Sequence, residues 1–276
     1  MSSPPIVLVF AGADPSGGAG LQADLLTLAA RGCHPLSVVT AITVQDTTGV
    51  KAVHPVEASW VADQARLVLQ DIRVSAIKIG LVGSVEGAAA IRNVVAEHAH
   101  VPVVLDPVLA SGRGDPLLNP EGVAALRDLL VPQATVVTPN SSEARRLAFL
   151  GDEARGEVAT RDEAARRLLE LGCEFVLVTG TDEPTTEVIN TLYAASGAVL
   201  SDRWERLADS YHGSGCTLAS AIAAAIANGL PVPEAVRDAQ TYTWQTLAHG
   251  FRPGLGQYVP DRFYQLRNAM RAAVES

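Results

Sequence analysis

A short segment that ends in cysteine, HGSGC at residues 212–216, places a thiol directly after small residues whose backbone can approach a ligand closely. A helix that begins near Thr217 would add its first, unpaired N–H groups to those of the two glycines and the serine. These donors predict an anion hole suited to a phosphoryl group in transfer. The helix dipole is expected to lower the pKa of Cys216, so that its thiolate could accept a proton from a substrate hydroxyl. The alternative interpretation is a small buried residue at a tight helix start.

Two carboxylates follow apolar runs of the sequence. Asp106 ends the run VVLD, where a carboxylate could contact a metal or a phosphate, or could cap the following turn. Asn140 and Glu143 have the spacing of a helix N-cap with a capping box. Glu143 could also orient Mg²⁺ through water. Both roles are compatible, because a helix N-terminus beside a metal–phosphate site favours anions.

The glycine-rich loop AGADPSGGAGLQAD, residues 11–24, opens a predicted helix. Asp24 lies one turn past Gly20, where a carboxylate either complements the helix dipole or serves as a hydrogen-bond acceptor aimed into a cleft. Gln45 follows the second predicted strand, and a glutamine in a turn is usually solvated. Its carboxamide nevertheless offers both a donor and an acceptor, which suits the edge of a heteroaromatic ring.

A dinucleotide-binding fingerprint is the alternative interpretation of this loop. GAGLQA at residues 18–23 fits G-x-G-x-x-G/A, but seven residues separate Phe10 from Gly18, whereas the fingerprint follows its strand almost at once. The extra length favours a loop that covers a substrate. The chain contains no G-x-x-x-x-G-K-[ST], so it lacks the Walker P-loop pattern.

Lys78 and two further cysteines are predicted to be structural. Lys78 interrupts the apolar strand AIKIGL, where a lysine usually snorkels or pairs with a carboxylate. Cys33 and Cys173 are expected to be ordinary core thiols. Three widely spaced cysteines with no CxxC pair argue against a disulfide framework and against a zinc site.

The composition excludes several classes of function. The apolar share is 48% and the charged share only 18%, which predicts a sizeable core and argues against disorder. A net charge of −9 argues against nonspecific nucleic-acid binding. The first apolar run is too short for a signal peptide, and the longest apolar helix falls short of the ~20 residues that span a bilayer. We therefore expect a cytoplasmic protein that binds neither nucleic acid nor membranes.

The elements that must position these residues alternate along the chain. Continuous apolar runs, typical of strands buried on both faces of a parallel sheet, alternate with amphipathic stretches, which predicts a doubly wound α/β fold. In such sheets, ligands bind at the carboxyl ends of the strands, where most of the residues above fall. No linker or repeat divides residues 1–276, so we expect a single domain. The predicted strands are residues 6–10, 36–42, 76–81, 102–106, 134–138 and 175–179.

Helices and one hairpin fill the remaining sequence. Residues 188–194 and 198–201, separated by ASG, predict a small β-hairpin addition. The predicted helices are residues 21–31, 56–71, 85–98, 120–130 and 159–171, with three closing helices near 217–229, 233–249 and 260–273.

Several motifs in one order resemble those of a known family. They are AGADPSGGAGLQAD, TVQDTTGV, KIGL, LDPV, TPNSSEA and HGSGCTLASAIAA. Together, over residues 6 to about 265, they resemble the hydroxymethylpyrimidine/phosphomethylpyrimidine kinases of thiamine biosynthesis, which have a ribokinase-like fold. The resemblance implies phosphoryl transfer from ATP, with Mg²⁺, to 4-amino-5-hydroxymethyl-2-methylpyrimidine and then to its monophosphate. It also implies a homodimer.

The resemblance assigns roles by position. The residues implied to hold the pyrimidine are Gly12, Asp24, Gln45 and Val108. Those implied to form the anion hole are Gly213, Ser214, Gly215 and Cys216, with Cys216 also as the base. Those implied at the nucleotide are Asn140 and Thr179, and those implied at Mg²⁺ are Glu143 and Asp106.

The chain departs from this pattern after the sixth strand. Many relatives have Lys-Gly-Gly near the nucleotide, whereas this chain has TGTDE at residues 179–183. Two other functions stay open: a pyridoxal or pyridoxine kinase, whose substrate is also a flat heterocycle with hydroxymethyl groups, and a dinucleotide-dependent oxidoreductase. A pyrimidine-binding regulator without catalytic activity is a further alternative.

Overall fold

One nine-stranded sheet organises the computed structural model, which describes residues 3–275. Its strand order is β3-β2-β1-β4-β5-β6-β7-β8-β9. The strands are β1 (Ile6–Ala13), β2 (His34–Asp46), β3 (Gly49–Pro55), β4 (Ala76–Ile79), β5 (Val103–Leu105), β6 (Val136–Val137), β7 (Phe175–Val178), β8 (Glu187–Ala194) and β9 (Gly197–Glu205).

The centre of the sheet is parallel and its edges are antiparallel. β1 pairs in parallel with β2 and β4, and β4, β5, β6 and β7 continue the parallel pairing. β3 is antiparallel to β2, and β8 and β9 extend the other edge as an antiparallel hairpin. The predicted mostly parallel, doubly wound sheet with an added hairpin is confirmed. The sequence analysis missed β3 and ended the second strand too early, because β2 runs on to Asp46.

Helices cover both faces of the sheet. α1, α8 and α9 pack with the core on one face, and α2, α3, α4, α5 and α7 pack with the core on the other. The helices are α1 (Gly20–Ala30), α2 (Ala58–Asp71), α3 (Val85–Glu97), α4 (Pro120–Ala125), α5 (Ser141–Ala148), α6 (Glu153–Val158), α7 (Arg161–Glu170), α8 (Ser214–Ala227), α9 (Val232–Ala248) and α10 (Tyr264–Glu275).

The helix boundaries differ from the sequence prediction in three places. α4 is short because a π-helical turn (Leu126–Leu130) and a 3-10 turn (Val131–Gln133) replace its second half. α6 was not predicted, and α10 begins later than expected. Within residues 3–275, no helix is both long and apolar enough to cross a bilayer.

α8 is the helix that lies closest to the middle of the sheet. Its sequence, SGCTLASAIAAAIA, is dominated by alanine, and residues from Thr217 to Ala225 are buried. Small side chains let the helix axis approach the sheet closely, and alanine has the highest helix propensity. The N-terminus of α8 therefore lies near the carboxyl ends of the central strands.

The strand order reverses beside β1. The chain moves from β1 to β2 on one side and then returns to β4 on the other. A reversal of this kind leaves a crevice outside the carboxyl ends of the two strands, where doubly wound sheets bind ligands. The order of strands therefore places a binding crevice next to the ends of β1 and β4.

Candidate active site

A lysine with no exposed side-chain surface lies at the centre of the crevice. Successive residues of β4 face opposite sides of the sheet, so Lys78 shares with Ala76 the face that α1 and α8 cover. Its Nζ lies 2.9 Å from Oδ2 of Asp24 and 3.7 Å from Oδ2 of Asp106. Burial opposes the charge, but the two carboxylates outweigh it and raise the pKa of Lys78. The predicted pairing with a carboxylate is confirmed, and the residue proves to be central to the site.

Asp24 is fully buried and has both carboxylate oxygens engaged. Lys78 donates to Oδ2, and the Ser220 hydroxyl on α8 donates to Oδ1 at 2.8 Å. The side chain has 0% exposure. Asp24 is the counterion of Lys78, and it ties α1 to β4 and α8. The contact of Asp24 with a ring in the cleft stays a prediction.

Asp106 follows β5 and faces the same side of the sheet as Lys78. Its side chain is buried, and Oδ2 accepts no hydrogen bond within residues 3–275. Oδ1 lies close to Gly215, since a Cβ added to that glycine would come within 3.8 Å of it. Burial raises the pKa of Asp106, while Lys78 and a hydrogen bond from Cys216 oppose the shift. Asp106 thus lies between Lys78 and the first residues of α8 and is close to both.

The predicted low pKa of Cys216 is wrong. Burial raises the pKa of this thiol above its ordinary value of 9.0, and the carboxylates of Asp106 and Asp24 add to the increase. Lys78 favours the thiolate but does not outweigh these effects. Burial therefore favours the thiol form of Cys216 over the thiolate. Cys33 and Cys173 are buried core thiols, as predicted, and burial raises the pKa of Cys173 to about 12.

The amides at the start of α8 are open. α8 begins at Ser214, earlier than the predicted start near Thr217, after Gly213 with φ of 82°. Within the described residues, the N–H groups of Ser214, Gly215 and Cys216 donate to no protein acceptor. They also carry the positive end of the helix dipole. This arrangement can bind an anion beside Cys216 and Asp106.

Buried polar contacts that sequence reasoning missed hold this helix start in place. Arg262 is 4% exposed, and it donates to Oγ1 of Thr217 at 3.1 Å and to the carbonyl oxygen of Gly18 at 2.5 Å. Nε2 of His212 lies 2.9 Å from Oδ2 of Asp14. No local pattern marks Arg262, and the contact of Asp14 with His212 could not be predicted, because these partners are far away in the sequence.

Asn140 and Glu143 form the predicted capping box at the start of α5. The Glu143 N–H donates to Oδ1 of Asn140 at 2.8 Å, and Oε2 of Glu143 accepts from the Asn140 N–H at 3.0 Å. Oε1 of Glu143 also lies 3.5 Å from the amide nitrogen of Leu109, which follows β5. Burial, with a contribution from the charge of Asp106, raises the pKa of Glu143 to about 8.

These carboxylates fit Mg²⁺ of the kind that a nucleotide brings. Oδ2 of Asp106 is a buried oxygen without a hydrogen-bond partner within residues 3–275, and Glu143 lies close enough for its pKa to respond to Asp106. The described residues contain no group of three or more His, Cys, Asp or Glu that could hold a metal alone. Mg²⁺ commonly takes one or two carboxylates and completes its shell with water and phosphate oxygens.

The other predicted pyrimidine-binding residues lie at the β1, β2 and β5 ends. Gly12 is in β1 at a register shift and pairs with Ala41 of β2. Gln45 lies in β2, which extends into an antiparallel hairpin with β3, so its predicted place in a turn after the strand is wrong. It is half-buried. Val108 is half-buried in the turn after Asp106.

Thr179 lies where β7 meets the loop that follows it. Its N–H donates to the carbonyl oxygen of Pro139, and its own carbonyl oxygen accepts from Ser141 N–H. Asn140 and Thr179 form an isolated parallel bridge. The two predicted nucleotide-binding residues are therefore adjacent, at the ends of neighbouring strands.

The sheet order arranges all these residues along one edge. The sequence across the edge is Gln45 at β2, Gly12 at β1, Lys78 at β4, Asp106 at β5, Asn140 after β6 and Thr179 after β7. The buried charges and the open amides of α8 lie in the middle. A phosphoryl group bound there would have the candidate pyrimidine-binding residues on the β1–β2 side and the candidate nucleotide-binding residues on the β6–β7 side.

Comparison of the sequence with known proteins identifies close relatives. A family model described as phosphomethylpyrimidine kinase matches residues 14–261. A hydroxymethylpyrimidine/phosphomethylpyrimidine kinase of Rhizobium meliloti is 41% identical over 255 residues, which cover 91% of this chain and 94% of that protein.

Solved structures have the same fold. A pyridoxal kinase of Bacillus subtilis in complex with ADP has a TM-score of 0.85 at 28% identity and covers 96% of this chain and 100% of its own. A phosphomethylpyrimidine kinase from Clostridium difficile has a TM-score of 0.74 at 33% identity and covers 88% of this chain and 99% of its own. The ribokinase-like fold is thereby confirmed. From its sequence and its fold, the chain belongs to the phosphomethylpyrimidine kinase family.

Proposed function

We propose that this protein transfers a phosphoryl group from ATP to the hydroxymethyl group of 4-amino-5-hydroxymethyl-2-methylpyrimidine, and then to the resulting monophosphate, in thiamine biosynthesis. One observation carries the proposal: the open amides of Ser214, Gly215 and Cys216 face a site that also contains Lys78 and Asp106. Phosphoryl transfer needs little covalent chemistry from the protein, and depends on positioning and on stabilisation of charge on the phosphoryl oxygens.

The order of strands supports a direction of transfer. Gly12 and Gln45 lie on the β1–β2 side of the α8 amides, and Asn140 and Thr179 lie on the β6–β7 side. We assign the pyrimidine to the first side and ATP to the second. The ring would be recognised by Asp24, by the carboxamide of Gln45 and by backbone near Gly12, with Val108 against its face.

The buried cation and the helix start supply the electrostatic part of the mechanism. The α8 amides would bind the oxygens of the phosphoryl group in transfer, and the fully buried Lys78 adds a fixed positive charge. Asp106 and Glu143 would hold Mg²⁺, which neutralises charge on the phosphates. Asn140 keeps its side-chain carbonyl on α5, so its side-chain amide nitrogen would be the atom that donates to the nucleotide.

Cys216 is assigned as the proton acceptor for the substrate hydroxyl. Its pKa is raised, so the thiol must first release its own proton to solvent; the resulting thiolate, which Lys78 favours and burial opposes, would then take up the proton of the substrate hydroxyl. We expect Cys216→Ala to bind ATP like the wild type and to lose most of its turnover, by about 10²-fold or more. Calorimetric titration with ATP and steady-state kinetics measure the two quantities. Unchanged turnover would remove the base assignment, and lost ATP binding would point to a structural role.

Pyridoxal kinase activity is the second candidate, because a pyridoxal kinase structure superimposes with a TM-score of 0.85. Product analysis after incubation with ATP and Mg²⁺, run side by side with the hydroxymethylpyrimidine and with pyridoxine, separates the two. We expect mono- and diphosphate from the pyrimidine and a much lower kcat/KM for pyridoxine. The reverse preference would overturn the substrate assignment.

The proposal includes a cytoplasmic homodimer. Exposed apolar side chains on the β2–β3 hairpin, Ile42 and Val44, support an interface between two copies at that edge. Light scattering coupled to size exclusion measures the mass in solution, and a monomer at micromolar concentration would contradict this part of the proposal.

A further inference from the structure

The loop between β7 and β8, residues 180–185, is held by one arginine that sequence analysis did not single out. Arg206, directly after β9, is half-buried and donates Nε to the Thr185 carbonyl oxygen at 2.7 Å. Its Nη1 donates to the Thr181 carbonyl oxygen at 3.0 Å. Its Nη2 donates to the carbonyl oxygens of Gly180 at 3.1 Å and of Glu183 at 2.8 Å. Four carbonyl groups of a six-residue segment therefore point at one guanidinium.

The opposite side of the same loop is attached to α5. Oδ1 of Asp182 accepts from Ser141 N–H at 3.1 Å, and Oδ2 accepts from Ser142 N–H at 2.7 Å. With Asn140 bound to the Glu143 N–H, the first three amides of α5 are satisfied by side chains. A phosphate therefore cannot use the start of α5 unless Asp182 leaves it, in contrast to the open start of α8.

The direction of the carbonyl groups determines where the loop amides point. In a trans peptide the C=O of one residue and the N–H of the next are antiparallel, and the chain has no cis peptide. Since the carbonyl groups of Gly180 and Thr181 point at Arg206, the N–H groups of Thr181 and Asp182 point away from it. Within residues 3–275, neither N–H donates to a protein acceptor. The loop thus presents two adjacent, fixed N–H donors directly after Thr179.

We propose that Arg206 is a positioning residue for the nucleotide: it holds the loop at residues 180–185 so that the amides of Thr181 and Asp182 can donate to ATP. This inference rests on the proposed function, which places ATP on the β6–β7 side of the site. Fixing donors before the ligand arrives reduces the entropy cost of binding. Without the guanidinium, the four carbonyl groups would hydrate, and the two amides would lose their common direction.

The test compares substitutions at two arginines of the same edge. Arg206→Ala is expected to raise the KM for ATP and the calorimetric Kd for ATP about tenfold, with kcat and the KM for the pyrimidine within about twofold of the wild type. Arg206→Lys keeps the charge but loses the forked set of donors, so its KM and Kd for ATP should lie between those of the wild type and of Arg206→Ala. The control is Arg203→Ala, which removes only a surface contact with Glu187 on β8 and should bind ATP like the wild type.

Amide exchange supplies the readout that a purely structural role would not change. In the wild type, ATP should slow exchange at Thr181 and Asp182, and in Arg206→Ala this slowing should disappear. An equal rise in both KM values, unchanged ATP affinity, or no protection of these two amides in the wild type would overturn the proposal. If Arg206→Ala does not fold, Arg206→Lys and the wild-type exchange data decide the question.

The ATP titration does not depend on the acceptor substrate, so the two proposals can fail separately. A wild type that binds ATP but phosphorylates no pyrimidine would refute the proposed substrate, while the role of Arg206 would still be decided by its variants. A wild type that binds no ATP would refute both.

Discussion

Lys78 shows how a single charged residue can be stable inside a sheet. An ion removed from water loses several kcal/mol of solvation, and Lys78 recovers this through a 2.9 Å contact with Asp24, which the Ser220 hydroxyl supports at 2.8 Å. Asp106 lies further away at 3.7 Å and leaves an oxygen unpaired within the described residues. Lys78 therefore forms its ion pair with Asp24, and its longer contact with Asp106 connects it to the candidate active site.

We expect Lys78→Met to destabilise the protein by about 3–5 kcal/mol, because it leaves the charge of Asp24 buried without a partner. The double variant Lys78→Met/Asp24→Asn should recover part of this loss, since no unpaired charge remains. Urea unfolding measures both free energies. If the double variant is no more stable than Lys78→Met, the pair does not account for the loss. Turnover should be lost in both variants.

At the scale of elements, the start of α8 is determined by a close backbone contact. Gly213 has φ of 82°, and a Cβ at this position would lie 1.9 Å from the carbonyl oxygen of Gly18. The glycine-rich loop before α1 and the loop before α8 therefore fit together only if residue 213 has no side chain. This contact sets the direction of the amides that we assign to the phosphoryl group.

Gly213→Ala should lose about 3 kcal/mol of unfolding free energy or more, from backbone strain together with the clash, and about 10²-fold in kcat through displaced amides. The matched control is Gly197→Ala at the first residue of β9, with φ of 103° and no atom within 4 Å of the added Cβ. Strain alone should cost this control about 1–2 kcal/mol, with normal turnover. Equal losses in the two variants would show that the contact with Gly18 has no effect.

At the scale of the whole molecule, three distant segments meet over the crevice. Asp14 accepts hydrogen bonds from the Ala19 N–H at 2.7 Å and from Ser16, and it contacts His212, which is 198 residues away. Arg262, in the segment before α10, contacts the same loop by donating to the carbonyl oxygen of Gly18. Burial opposes ionisation of Asp14, but the hydrogen bonds from His212, Ala19 and Ser16 hold its pKa below the ordinary 3.8.

This shift predicts how stability depends on pH. Because the pKa of Asp14 is lower in the folded than in the unfolded protein, its contribution is complete above about pH 4 and is lost as the pH falls through the folded-state value. Asp14→Asn should therefore cost about 2 kcal/mol near pH 7, and its difference from the wild type should shrink as the pH falls below about 4. Denaturant unfolding across this range measures the effect. Exposed Asp63→Asn is the control, and a difference that grows on acidification would contradict the assignment.

Much of the fold followed from local patterns. Continuous apolar runs identified β1, β5, β6 and β7, because strands buried on both faces have few polar positions, and β4 was identified although Lys78 interrupts its apolar run. β3 was missed because its sequence, GVKAVHP, has exposed and half-buried positions and forms only by pairing with β2. The capping box at Asn140 and Glu143 was predictable, because both partners lie within one turn of helix.

The sequence by itself determined the alternation of the central strands and their helices, the glycine and cysteine residues at the start of α8, and the carboxylates at the strand ends, because each depends on neighbours a few residues apart. The tertiary structure alone decided that Asp24 pairs with Lys78 across 54 residues, that burial raises the pKa of Cys216, and that Arg206 holds the loop after β7. The physical reason is that burial and ion pairing depend on which groups share a volume from which water is excluded, and such groups come from segments far apart in the chain.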